Sequence, residues 1–287
     1  MSARVVPGQG QGSSVRYRGG KGEPLLLLHG FSACADSWGP VLPALERHHE
    51  VVAVTYPGHM GGESIPPGFP HTIAASVDLA EREMDLAGWD KMHIVGNSLG
   101  GWLAIELARR GRAKSVVAIS PGGGWIRDSR EALRLEKLFR NIKTSLHVGG
   151  PIAPLLARFA TTRRVALGRI VARPEQLSRA DAQMMITASW RCDVFDDVVR
   201  ALRQEDEPTL LHPLPCPIRL VWGTRDRILP MSRYSQHWRS VLPGAEFVEL
   251  SGLGHVPMFD DRETVARSIL EVTAGVGRGA DATALAS

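Results

Sequence analysis

Six short apolar runs, at 24–28, 50–55, 91–95, 115–120, 217–222 and 245–250, alternate along the chain with helix-like stretches at 36–48, 72–87, 100–110, 231–242 and 261–273. A strand that is apolar at nearly every position has no wet face and must be covered on both sides. Helices that return after each strand supply that cover. The pattern predicts an α/β fold: a doubly wound, mostly parallel sheet, with residues 12–18 as a candidate antiparallel edge strand. A chain of 287 residues can bury about three quarters of its unfolded surface, enough for one large domain with an insertion.

The rhythm fails over residues 122–211. Leu135, Leu138, Phe139, Ile142 and Leu146 recur at spacings of three and four, while Arg130, Arg134, Lys137 and Asn141 take the opposite face. Gly122-Gly123-Gly124 permits a bend before the segment, and Pro213-Leu214-Pro215-Cys216-Pro217 stiffens the return. The expected organisation is a core of residues 1–121 and 212–287 with a helical cap, or lid, over 122–211. From Trp125 to Glu175 there are eleven Arg or Lys against four Asp or Glu, a balance of +7 within a total of +4. Such a surface either steers acidic substrates or is an ordinary solvated face.

The chemistry-bearing motif is Gly96-Asn97-Ser98-Leu99-Gly100, placed between a strand-like and a helix-like run. A serine nucleophile must be held exposed beside a base and beside donors for the oxyanion, and a sharp strand-to-helix turn with flanking glycines does this. The base is expected at His255, on the loop Ser251-Gly252-Leu253-Gly254-His255-Val256-Pro257 that follows a strand-like run. The acid is expected at Asp226, on Gly223-Thr224-Arg225-Asp226-Arg227 at the carboxyl end of another, with Asp128 as the fallback. His93 lies inside a strand and is read as a core residue, and His48 and His49 as the end of a helical stretch. No His-Glu-x-x-His or Cys/His cluster occurs, and the three cysteines are far apart, so neither metal nor other cofactor is expected, nor a disulfide framework.

These pieces resemble the α/β-hydrolase superfamily, in its cap-bearing serine hydrolase branch, over roughly residues 24–272. The matching segments are Leu25-Leu26-Leu27-Leu28-His29-Gly30-Phe31, Tyr56-Pro57-Gly58-His59, the elbow around Ser98, Trp222 to Pro230, and Gly254-His255-Val256-Pro257. The chain order Ser98, Asp226, His255 is that family's order of nucleophile, acid and base. The resemblance implies an oxyanion hole from the backbone N–H groups of Phe31 and Leu99, and a loop-shaping role for His29. Thr55 stands where the family usually carries an aspartate, and the turn after Pro57 is one residue longer.

The expected activity is hydrolysis of a carboxylic ester, or a related lactone or thioester, through an acyl-enzyme on a small-molecule acyl substrate. Candidate pocket residues are Trp125, Trp190, Arg191 and Met258, beside Phe31 and Leu99; Arg191 either pairs a substrate carboxylate or is an ordinary surface arginine. One alternative is a carbon–carbon bond hydrolase of ring-cleavage diketones, against which stand Phe31-Ser32-Ala33 and Val256. Another is a non-catalytic ligand-binding protein. An aspartate would be needed at position 98 for dehalogenase or epoxide hydrolase chemistry. No nucleic-acid module appears. The polar opening of the chain has no signal-peptide core and no run long enough to span a bilayer, so a cytoplasmic location is expected, with residues 274–287 fraying. Nothing in the sequence speaks to oligomeric state.

Overall fold

A computed structural model of the chain describes residues 14–284. Seven strands form one sheet in the order β1-β3-β2-β4-β5-β6-β7. They are β1 (Val15–Gly20), β2 (Glu23–Leu28), β3 (His49–Val54), β4 (Met92–Asn97), β5 (Ala113–Ile119), β6 (Ile218–Gly223) and β7 (Glu246–Leu250). β1 pairs antiparallel with β3, and every other pairing is parallel. The expected edge strand is therefore present from Val15, and residues 12 and 13 lie outside the described residues.

Both faces of the sheet are covered, as the unbroken apolar runs require. Leu26, Leu28, Val52, Val54 and Ile94 point to one side, into a core shared with α2 (Ile73–Leu86), α3 (Leu99–Arg109) and α9 (Met231–Val241). Leu25, Leu27, Val51, Ala53 and Val95 point to the other, onto α1 (Leu42–Leu45) and α10 (Arg262–Ala284). Alternate residues of one strand thus feed two cores.

Two elements differ from the sequence reading. The helix expected over 36–48 is a 3-10 turn, Ala35–Trp38, followed by the single turn α1, because Pro40 and Pro43 remove backbone donors a longer helix would need. His49, expected to end that helix, instead opens β3 and is buried, with Nε2 2.9 Å from Thr273 Oγ1. At the other end α10 continues to Ala284 rather than fraying after 273. Residues 1–13 and 285–287, on which parts of the terminal expectations fall, lie outside the described residues.

Between β5 and β6 run five helices: α4 (Arg130–Gly149), α5 (Ala153–Leu156), α6 (Ala160–Leu167), α7 (Arg179–Trp190) and α8 (Phe195–Gln204). Ser129 caps α4 by accepting from Ala132 N–H at 3.2 Å, and Ser178 caps α7 by accepting from Asp181 N–H at 3.0 Å. The stripe predicted on α4 faces inward: Leu135 is buried, and Leu138, Phe139, Ile142 and Leu146 pack on the core.

Candidate active site

Ser98 occupies the turn from β4 into α3 with φ 56° and ψ −117°, a conformation that costs an L-residue about 1–3 kcal/mol unless its surroundings enforce it. They do so through close backbone approach. A Cβ on Gly96 would stand 2.0 Å from Gly100 O, and one on Gly100 would stand 2.1 Å from Leu28 O. Ser98 N–H donates to Ile119 O at 2.9 Å, and Ser98 O accepts from Gly122 N–H at 2.8 Å. The serine backbone is thereby pinned between β5 and the start of the helical segment.

The loops after β6 and β7 bring two further side chains together. His255 Nδ1 lies 2.7 Å from Asp226 Oδ2, and both residues are buried. The other carboxylate oxygen, Oδ1, accepts from Ile228 N–H at 2.9 Å and Leu229 N–H at 2.8 Å. Asp226 thus receives three hydrogen bonds, which fix the carboxylate plane and hold the ring with Nε2 as its free nitrogen.

The His29-Gly30-Phe31 turn closes with Ala33 N–H on Gly30 O at 3.2 Å. His29 is consumed by structure: Nδ1–H donates to Gly30 O at 2.7 Å, and Nε2 accepts from Tyr56 N–H at 3.2 Å. Burial, reinforced by nearby His59, lowers its pKa to about 3, so the ring is neutral. Thr55 puts its hydroxyl on Ala35 N–H at 3.0 Å. Neither Phe31 N–H nor Leu99 N–H has an acceptor among the described residues, and Leu99 opens α3, where unpaired donors and the helix dipole favour negative charge.

Ser98 and His255 line one cavity of about 80 Å³, together with Phe31, Phe139, Met185 and Ile228. Ser32, Ser37, Asn97 and Ser189 add polar groups, and no Lys, Arg, Asp or Glu contributes. A smaller cavity of about 20 Å³ also touches Ser98 and is walled by Leu99, Trp102, Trp125 and Leu135. Phe31 and Phe139 line both, their rings meeting edge to face at 5.3 Å. A third, of about 30 Å³, continues past Trp125 to a charged mouth at Arg127, Asp128, Glu136 and Arg203.

Comparison with known proteins places this geometry. The model of the alpha/beta hydrolase family matches residues 25–268. The chain belongs to that family. It is 38% identical over 189 residues to the epoxide hydrolase EphH of Mycobacterium tuberculosis, covering 65% of this chain and 88% of the relative. Among solved structures, a membrane phospholipase A described as a bacterial virulence factor is similar at TM-score 0.70 and 26% identity, over 90% of this chain and 81% of that one. A thermophilic esterase from Thermogutta terrifontis shares the fold at TM-score 0.70 and 24% identity, over 90% and 92%.

In this alpha/beta hydrolase the expected site residues separate into two groups. Ser98, Asp226, His255, Phe31 and Leu99 gather at the carboxyl ends of the strands, and Trp125 lines the smaller cavity rather than the one holding His255. Trp190, Arg191 and Met258 line neither. Helical rotation turns Met185, Ala188 and Ser189 of α7 toward Ser98 and carries Trp190 outward onto Gly150, with Arg191 exposed beyond it. Met258, on a 3-10 turn after His255, is buried against the α10 side of the sheet. Asp128 is exposed at the distant mouth of the third cavity, away from the imidazole that Asp226 holds.

Two supporting residues escaped sequence reasoning. Asn97 Nδ2 donates to Ile119 O at 3.1 Å and to His255 O at 2.9 Å. Its signal was available: a buried amide ending an apolar strand must find partners. Asp260 accepts from Gly254 N–H at 2.8 Å, Ala172 N–H at 2.9 Å and Arg173 N–H at 3.1 Å, tying the His255 loop to the helical segment. Its partners lie 6 to 88 residues away, a distance no local pattern encodes.

Proposed function

We propose that this hydrolase cleaves carboxylic esters, or the related lactones and thioesters, of neutral, apolar acyl groups, using Ser98 as nucleophile, His255 as base and Asp226 as its orienting acid. The observation that carries the reading is the buried Asp226–His255 pair opening into the same cavity as a serine held at positive φ. His255 Nε2 takes the proton from Ser98 Oγ as that oxygen bonds to the carbonyl carbon. The N–H groups of Phe31 and Leu99 receive the developing oxyanion. The leaving alcohol departs with the proton from His255, leaving an acyl-serine. Water then gives its proton to His255 and attacks the acyl carbon, and the acid is released as Ser98 is reprotonated.

Substrate class follows from the lining. A cavity lined by no Lys, Arg, Asp or Glu discourages a free carboxylate, so a steering role for the basic surface does not extend to the reacting centre. A volume of about 80 Å³ is roughly half of a cavity that accepts benzene, which favours acyl groups of a few carbons. Helices α4–α8, within residues 122–211, act as the cap that excludes water.

The EphH likeness supports a second reading, epoxide hydrolysis. A carboxylate that opens an epoxide forms an ester, which water can cleave, whereas a serine oxygen would form an ether with no such exit. Ser98 therefore favours acyl transfer. An alkyl fluorophosphonate is expected to label the wild-type protein at Ser98 and not Ser98→Ala, and both nitrophenyl butyrate and an aryl epoxide would be assayed with each. Epoxide turnover that survives Ser98→Ala, with no labelling, would overturn the proposal.

A further inference from the structure

From Lys137 to Pro174 the chain carries eight lysines and arginines and no aspartate or glutamate. The same region concentrates exposed apolar side chains: Val148, Ile152, Leu155 and Phe159 are 78, 57, 64 and 47% exposed. Single exposed apolar residues are ordinary on a soluble protein, but four between Val148 and Phe159 are not. They form a ridge. The exposed indole of Trp190 stands over Gly150, 2.3 Å from where a Cβ would be, and α5 and α6 both pack on α7.

The cations on this ridge are only partly neutralised. Lys143 reaches Asp196 at 3.4 Å and Arg164 reaches Glu175 at 3.5 Å. Arg158 lies with its guanidinium carbon 4.6 Å from the centre of the Phe159 ring, and it, Arg169 and Arg191 are exposed without an ion-pair partner among the described residues. Inward, the same helices present Ile142, Met185 and Ser189 to the Ser98 cavity. The ridge is thus the outer face of the cavity wall.

We propose that this ridge seats the protein on an anionic lipid surface, with Leu155, Phe159 and Trp190 entering the interfacial layer and Arg158, Arg169 and Arg191 meeting lipid phosphates. Apolar side chains flanked by unpaired cations match the interface of an anionic bilayer, where each basic residue near the surface adds attraction. A second copy of this chain is the poorer occupant, because a two-fold contact would set the ridge's unpaired arginines against one another. The seating is independent of the chemistry at Ser98. Its effect is to bring the cavity wall against a reservoir of apolar acyl compounds.

The test is flotation of the full chain with vesicles of phosphatidylcholine alone and of phosphatidylcholine mixed with phosphatidylglycerol. Binding is expected to the mixed vesicles and not to the neutral ones, and it should weaken as salt is added. A Leu155→Glu, Phe159→Glu double variant should bind at least about tenfold less while retaining its melting temperature and its hydrolysis of a soluble short-chain ester. No binding, or equal binding to both vesicle types, overturns the proposal. So does a wild-type dimer in vesicle-free buffer that the double variant abolishes, since a second copy would then cover the ridge.

Discussion

The side chain of Asn97 donates to the backbone carbonyl of His255 at 2.9 Å, so the residue preceding the candidate nucleophile also holds the loop that bears the candidate base. With its second bond to Ile119 O, this amide satisfies two carbonyls in a buried position. Asn97→Ala leaves the His255 carbonyl unpaired, while Ile119 O keeps its bond from Ser98 N–H. A loss of about 1–3 kcal/mol is expected, read by urea unfolding, together with a lower kcat as the imidazole loses its fixed position. An unchanged kcat in a properly folded variant would show that the Asp226 contact alone positions the ring.

Asp226 is held by two N–H donors on one oxygen and by His255 on the other. In Asp226→Asn the amide oxygen can keep the backbone bonds, while its NH2 faces Nδ1 and imposes the wrong tautomer. A fall in kcat of about 10⁴ is expected, as for an acid whose task is to orient the ring. Ser98→Ala should lose at least about a thousandfold with little change in stability. Pre-steady-state ester hydrolysis, with circular dichroism for fold, checks both.

Phe139 and Phe31 separate the larger cavity from the smaller one. Phe139→Ala should join them and extend the apolar volume toward Trp125 and Leu135. The optimum acyl chain length is then expected to increase by several carbons, seen as a shift in kcat/KM across a series of nitrophenyl esters. A profile that weakens uniformly, without moving, would place acyl binding elsewhere.

His59 is buried, its Nδ1–H donates to Pro57 O at 3.3 Å, and its Nε2 has no partner among the described residues. Burial lowers its pKa to about 4, below the value of 6.5 expected for an exposed histidine. The unfolded chain therefore binds this proton more readily than the folded one. The stabilisation is complete above pH 6.5 and is lost as pH falls toward 4, amounting to about 3 kcal/mol. His59→Gln should remove about one proton from the uptake on unfolding near pH 5, measured as a shallower dependence of unfolding free energy on pH. An unchanged slope would mean that His59 titrates alike in both states.

The strand runs were legible because a parallel strand covered on both sides needs apolar residues at every position, and Leu25 to Leu28 meet that demand with adjacent side chains in opposite cores. The elbow was legible for a similarly local reason: Gly96 and Gly100 lie within five residues and have no room for a Cβ. The expected helix over 36–48 shrinks to one turn at Leu42–Leu45 because Pro40 and Pro43 remove donors, a local signal that the helix-like run obscures.

By itself, then, the chain's order of residues determined the sheet, the turn that exposes Ser98 and the loops that carry Asp226 and His255, since each depends on neighbours a few positions apart. Only tertiary packing decided which side chains wall the cavity. Trp190 and Ser189 are adjacent in sequence, yet the rotation of α7 against α4 sends one onto Gly150 at the surface and the other toward Ser98. Contacts such as Asp260 with Ala172 exist because separate elements dock, and the energy of docking is a property of surfaces rather than of local spacing.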